Sequence, residues 1–163
     1  MSKIVLDAAD IRILVAVQQN GQLSKSRLAE IVNLSPTPCW IRLAKLKKAG
    51  LIKGYSAEIA LDSIVNLSRV IVSLSLTSHR KQDFERFEAY IRGEDSVVEC
   101  IATGGGTDYV MKVFSQDLSS FQAIMDAMLS AELGIDRYMT YIVTREVKSV
   151  SPNLNLLLPA QKC

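Results

Sequence analysis

The sequence predicts an α+β chain: an N-terminal winged helix-turn-helix domain joined by a hinge strand to a C-terminal ferredoxin-like βαββαβ domain. Three observations carry this reading. Before residue 53, apolar residues recur at helical spacing in three short segments separated by tight breaks. From residue 68, strand-like alternation and helical spacing follow one another in the order β-α-β-β-α-β. Charge divides at the same place: residues 1–60 hold nine Lys and Arg against four Asp and Glu, and the remainder holds ten against thirteen. The expected organisation is 1–53, a helix-turn-helix domain; 54–67, a hinge; 68–149, a ferredoxin-like domain; and 150–163, a tail.

The three front helices each have a start and a stop. Residues 7–19, DAADIRILVAVQQ, place Ile11, Leu14 and Val15 on one face, and NGQ at 20–22 ends the run. Ser24 offers an N-cap to SKSRLAEIV, flanked by Leu23 and Leu28 at hydrophobic-staple positions, with Leu28, Ile31 and Val32 inward. Asn33-Leu34 breaks this helix, and Ser35 caps the third. Pro36 at N1 and Pro38 at N3 are tolerated because the first turn has no intrahelical use for its N–H groups. At 100° per residue, Trp40, Leu43 and Leu46 share one side and are expected in the core, with base stacking by Trp40 as the lesser alternative because its neighbours at helical spacing are apolar. Thr37, Pro38, Ile41, Arg42, Lys45 and Lys48 share the other, and Gly50 ends the helix.

A third helix built this way suits the major groove of double-stranded DNA. Its rigid start approaches closely, its dipole end faces phosphate, and Arg42 and Lys45 reach bases or backbone. The basic balance of the front half suits a polyanion, although basic residues also serve simply to solvate helix faces.

In the rear half, GYSAEIALDSIVNL (54–67) reads as an extended hinge strand. Strands are expected at 68–78, 96–103, 107–115 and 135–148. Helices are expected at 79–93, with Phe84, Phe87 and Ile91 inward, and at 117–130, with Phe121, Ile124, Met125 and Met128 inward. Two helices cover one face of a four-stranded sheet, and a second subunit is the simplest cover for the other.

The segment LDAADIRILVAVQQNGQLSKSRLAEIVNLSPTPCWIRLAKLKKAGLIKGY, with SPTPC followed by a basic helix and AGLI, resembles the Lrp/AsnC (leucine-responsive/asparagine regulator) family of transcription factors. The resemblance covers about residues 6–148. It implies a regulator-of-amino-acid-metabolism domain that dimerises through its sheets and assembles further, commonly as a ring of four dimers. It also implies that Gly105-Gly106-Thr107-Asp108-Tyr109 matches a Gly-x-x-Asp-Tyr motif near which small amino-acid effectors bind between dimers. Members often carry a basic residue where this chain has Ile41 and an aromatic where it has Thr107.

TGGGTDY (103–109) lacks the Lys-Ser/Thr of a phosphate loop and precedes a strand, so a hairpin turn is its plain reading. Glycine N–H groups there, from Gly104, Gly105 and Gly106, suit a carboxylate, and Asp108 suits an ammonium. Tyr138 and Thr140 alternate on the last strand, as an effector-site wall or as dimer packing. His79, the single histidine, is expected at the surface or as a cap. No catalytic triad and no metal spacing is read, and no cofactor is expected. Cys39, Cys100 and Cys163 are expected as reduced thiols. No uninterrupted apolar run is long enough for a membrane span, and the N-terminus has no signal core, so a cytoplasmic, nucleoid-associated location is expected.

Taken together, these readings give a sequence-specific DNA-binding regulator, not an enzyme, with Ser24, Ser35, Thr37, Pro38, Ile41, Arg42, Lys45 and Lys48 at DNA. A small amino acid or derivative is expected at Gly104, Gly105, Gly106, Thr107, Asp108, Tyr109, Tyr138 and Thr140. The alternative is an architectural protein of the nucleoid with little sequence or effector dependence.

Overall fold

A computed structural model describes residues 5–158. The chain divides into two compact units, one of residues up to 58 together with those from 148 onward, the other of residues 59–147.

The first unit is built on α1 (Ala8–Gln19), α2 (Lys25–Ile31) and α3 (Pro36–Lys48). Asp7 caps α1 in a reciprocal box with Asp10, which satisfies two N–H groups that no helical carbonyl reaches. Ser24 caps α2 through the Arg27 N–H, as its sequence position suggests. The helices meet on Ile13, Ala16, Leu28, Ala29, Val32, Cys39, Leu43 and Leu46. This face is rotated from the one expected. Ile13 and Ala16 lead α1, whereas Ile11, Leu14 and Val15 are only half-buried, and Ile31 lies outside the core. Trp40, expected in the core, is 42% exposed, because Cys39, Leu43 and Leu46 already fill the contact face of α3. A helix this short tolerates apolar residues on both flanks of its buried stripe, so periodicity alone cannot choose the stripe's centre.

The end of α3 is a Schellman turn. Leu51 N–H reaches the Leu46 carbonyl (3.2 Å), Gly50 N–H reaches that of Lys47 (2.9 Å), and Gly50 has φ +71°. Nothing lies within 4 Å of a Cβ placed there, so the cost of a side chain is backbone strain alone. Gly50→Ala should therefore destabilise the unit by about 1 kcal/mol, read as a lower melting temperature.

The hinge 54–67 is not a strand in this chain. It holds only a single 3-10 turn at Leu61–Ser63 and joins no sheet ladder. From the other end of the chain, Pro152 accepts a hydrogen bond from the Gln18 side chain (3.1 Å), and the one-turn helix α6 (Leu154–Leu157) lies against α1. The tail thus packs on its own chain within the first unit. Its last residues, including Cys163, lie outside the described residues.

The second unit runs β1 (Ser68–Leu76), α4 (Lys81–Arg92), β2 (Val97–Ala102), β3 (Tyr109–Ser115), α5 (Leu118–Ser130) and β4 (Ile135–Ile142). The sheet order is β2-β3-β1-β4 with every neighbour antiparallel, the ferredoxin-like arrangement the sequence predicts. Alternate residues of β1 (Val70, Val72, Leu74, Leu76) and β3 (Tyr109, Met111, Val113) meet Phe87 and Ile91 of α4 and Phe121, Met125 and Met128 of α5. Phe84 and Ile124 pack at the margin as expected. The last strand stops at Ile142 rather than 148. Its partner β1 begins at Ser68, so after the Val143 N–H to Arg69 carbonyl bond (2.9 Å) no acceptor remains.

Candidate nucleic-acid interface and ligand pocket

The start of α3 is open. Ser35 is extended at the N-cap (φ −70°, ψ 153°) and its side chain makes no capping hydrogen bond. Pro36 and Pro38 fix the first turn, and Thr37, Pro38, Ile41, Lys45 and Lys48 are all exposed, Ile41 to 63%. The outward face therefore pairs a small apolar centre with lysines that no acidic side chain engages among the described ion pairs.

Arg42 departs from that face. Its Nη1 donates to the carboxylates of Asp7 and, at 2.8 Å, of Asp10, whose side chain is only 7% exposed. Hydrogen bonds to Asp10 first and then to Asp7 hold the guanidinium above its ordinary pKa, and the Asp10 N–H followed by Arg42 holds Asp7 below its own. Arg42 thus ties α3 to the capped start of α1. Its guanidinium is turned toward these acids and not along the exposed arc of α3. One nitrogen serves both carboxylates, and the charge-assisted bond to buried Asp10 favours the pair.

In the second unit, the β2–β3 connection is the tight turn expected of TGGGTDY. Gly105 takes φ +129°, which only glycine adopts freely. The Thr103 side chain donates to the Thr107 carbonyl (2.6 Å) and the Thr107 side chain to the Leu74 carbonyl (2.6 Å), so the turn is stitched to itself and to β1. Asp108 Oδ2 accepts from the Leu76 N–H (2.8 Å) and lies 3.1 Å from His79 Nε2. His79 lies at the surface, as expected, with Asp108 as its partner; the N-cap residue of α4 is Arg80.

The Leu76 N–H above all, with His79 as a smaller cause, holds the Asp108 carboxyl below its ordinary value of 3.8. A carboxylate with a depressed folded-state pKa stabilises the fold above its unfolded value and ceases to do so as pH falls through the folded one. The melting-temperature gap between wild type and Asp108→Asn should therefore be open at neutral pH and close progressively below pH 3.8.

Two hollows of about 390 Å³ each flank this turn. Gly105, Gly106, Thr107 and Asp108 line the first with His79 and Asp136; Gly106, Thr107 and Tyr138 line the second with Ser73 and Met139. Arg137 borders both and donates to the Gly106 carbonyl at 3.3 Å. Gly104, Tyr109 and Thr140 border neither. Tyr109 is a correction: its ring is buried against Phe87 (4.5 Å between centroids), and its hydroxyl donates to Glu88 (3.1 Å). Burial first, then Glu88, raises its phenol pKa strongly, so it stays neutral. Arg137 and Asp136 were missed in the sequence, because a charged pair at a strand start looks the same as any solvated strand end.

Residues 69–152 match the Lrp/AsnC ligand binding domain, and residues 6–53 match a winged helix-turn-helix DNA-binding domain. The chain belongs to the Lrp/AsnC family. Among its Lrp/AsnC relatives, the transcriptional regulatory protein DoeX of Halomonas elongata is 41% identical over 93% of this chain and 96% of that protein. The leucine-responsive regulatory protein of Haemophilus influenzae is 35% identical over 90% of this chain and 88% of its own length. A transcriptional regulator of Neisseria meningitidis solved in complex with L-methionine superposes with a TM-score of 0.86 at 34% identity, covering 94% of this chain and all of that one. Like these Lrp/AsnC proteins, the chain is a transcriptional regulator that joins a DNA-binding domain to a ligand-binding domain. Among the described residues, no helix is long and apolar enough to cross a membrane.

Proposed function

We propose that this regulator reads operator DNA with the exposed face of α3 and answers to a small α-amino acid or derivative held at the Gly105–Asp108 turn. Ser35, Thr37, Pro38, Ile41, Lys45 and Lys48 form the DNA face, with Ser24 at the start of α2 beside it. The observation that carries the effector reading is the placement of Arg137 between two hollows, each large enough for one amino acid. Arg137 and the Gly106 backbone suit the ligand's carboxylate. Asp108 already serves Leu76 and His79, so Asp136 is the better partner for an ammonium. The methionine bound by the Neisseria relative supports this class of ligand.

Homodimerisation through the sheet follows from its uncovered residues. Met139 and Tyr141 are 60% and 49% exposed on β4, and Ile101 is 50% exposed on β2. Assembly beyond the dimer and a cytoplasmic, nucleoid-bound location complete the reading. The division at 53/54, 67/68 and 149/150 belongs to it as well. The relatives are named as regulators, and no catalytic role is proposed.

A thermal-shift screen of the full chain against the common amino acids tests the effector. A true ligand at a hundred times its Kd adds about 2.7 kcal/mol of stability, a shift of several degrees. If no amino acid or derivative stabilises the chain, the effector-free architectural alternative is favoured.

A further inference from the structure

The exposed arc of α3 has two borders. Taking Thr37 as the reference at 100° per residue, Ile41, Ala44 and Lys48 fall within about 40° of it. Lys45 and Pro38 border one side at roughly 80–100°, and Trp40 borders the other at roughly −60°. The core residues Cys39, Leu43 and Leu46 occupy the far side. Trp40, 42% exposed, is therefore a flank of the outward face, on the side of α2. There the Lys25 ammonium stands 3.8 Å from the centroid of its ring, a cation–π contact that fixes both groups without neutralising the charge. Lys25 has no carboxylate partner among the described ion pairs.

An α-helix lying in the major groove has a phosphate strand on either side. Lys45 supplies charge on one side of the arc. On the other, Lys47 lies at roughly −80° but stands over the Tyr55 ring, 5.0 Å from its centroid, and Trp40 is nearer to the arc. We infer that Lys25 and Trp40 form a second backbone contact, a clamp on the sugar–phosphate strand at the α2 side of the groove. Resting on the DNA reading above, this assigns to DNA a pair of residues that periodicity placed in the core or left unremarked. Lys25 offers a fixed positive charge to a phosphate, and the indole offers an N–H donor and an apolar face to the adjoining sugar. Contacts of this kind set register and affinity and carry little base preference.

Trp40 is the single tryptophan of the chain, so its fluorescence reports this contact without substitution. The probe is a duplex selected from a random-sequence library by the wild-type chain. Saturation with that duplex should shield Trp40 from acrylamide, lowering the quenching constant by at least about two-fold. Trp40→Ala should bind the duplex on the order of ten-fold more weakly, at an unchanged melting temperature. Lys25→Ala should lower the slope of log K against log salt by about one unit. Equal acrylamide quenching with and without bound duplex would overturn the inference, and that measurement decides even if Trp40→Ala fails to fold. A chain that selects no duplex at all defeats the DNA reading itself, an outcome distinct from binding that leaves Trp40 unshielded.

Discussion

Arg137→Ala should weaken the amino-acid response and leave basal DNA affinity intact. The guanidinium borders both hollows beside the β2–β3 turn and donates to the Gly106 carbonyl. Removing it takes away the cation that matches a ligand carboxylate, while the turn keeps its stitches through Thr103, Thr107 and Asp108. A charge-assisted hydrogen bond of this type is worth about 1.5–3 kcal/mol, so ligand affinity should fall by roughly ten- to a hundred-fold. The check is a ligand titration followed by thermal shift, beside duplex binding without ligand. Asp108→Ala makes the contrast. It strips the Leu76 N–H and His79 of their acceptor and should lower the melting temperature directly, so a loss of response there speaks to the turn's integrity. A response that survives Arg137→Ala unchanged places the effector elsewhere.

Asp10→Ala should destabilise the DNA-binding unit by about 3 kcal/mol, the larger stability effect of the pair Asp7 and Asp10. Asp10 is the one buried charged residue among the described residues. It receives Arg42 at 2.8 Å and closes the capping box of α1. Its loss leaves a half-buried guanidinium with a single exposed partner and frees a helix-start N–H, two costs that add. Calorimetry on the full chain should show a lower transition for this variant. At a temperature where it is still folded, its salt dependence of DNA binding should match wild type, because neither Asp10 nor Arg42 is assigned to phosphate.

The same residues show what the sequence could and could not convey. The β-α-β-β-α-β order was legible because each core residue of α4 and α5 sits at a regular helical interval, and because β1 alternates cleanly through Val70, Val72, Leu74 and Leu76. Helix starts were legible at Ser24, whose hydroxyl caps α2, and at Ser35, where Pro36 marks the first turn of α3. Trp40 and Ile31 were misplaced because a short helix with apolar residues on both flanks does not declare its buried centre. The ion pairs of Arg42 were illegible for a different reason. Its partners Asp7 and Asp10 lie more than thirty residues earlier, and no local pattern joins a basic residue on one helix to acids on another. Tyr109 followed the motif into the effector site, yet strand alternation alone points it to the helix-facing side with Met111 and Val113. Arg137 carried no signal in the sequence; it acquires meaning only when the sheet brings the start of β4 beside the Gly106 turn.

The account rests on the outward arc of α3 as the DNA surface, and Lys45 tests it most directly. Lys45 is exposed, contributes nothing to the core and has no carboxylate partner among the described ion pairs. The deciding measurement is the slope of log K against log salt for the selected duplex, compared between wild type and Lys45→Ala. Loss of one phosphate contact should lower the slope by about one unit with no change in melting temperature. Identical slopes and affinities would show that this face of α3 does not meet DNA.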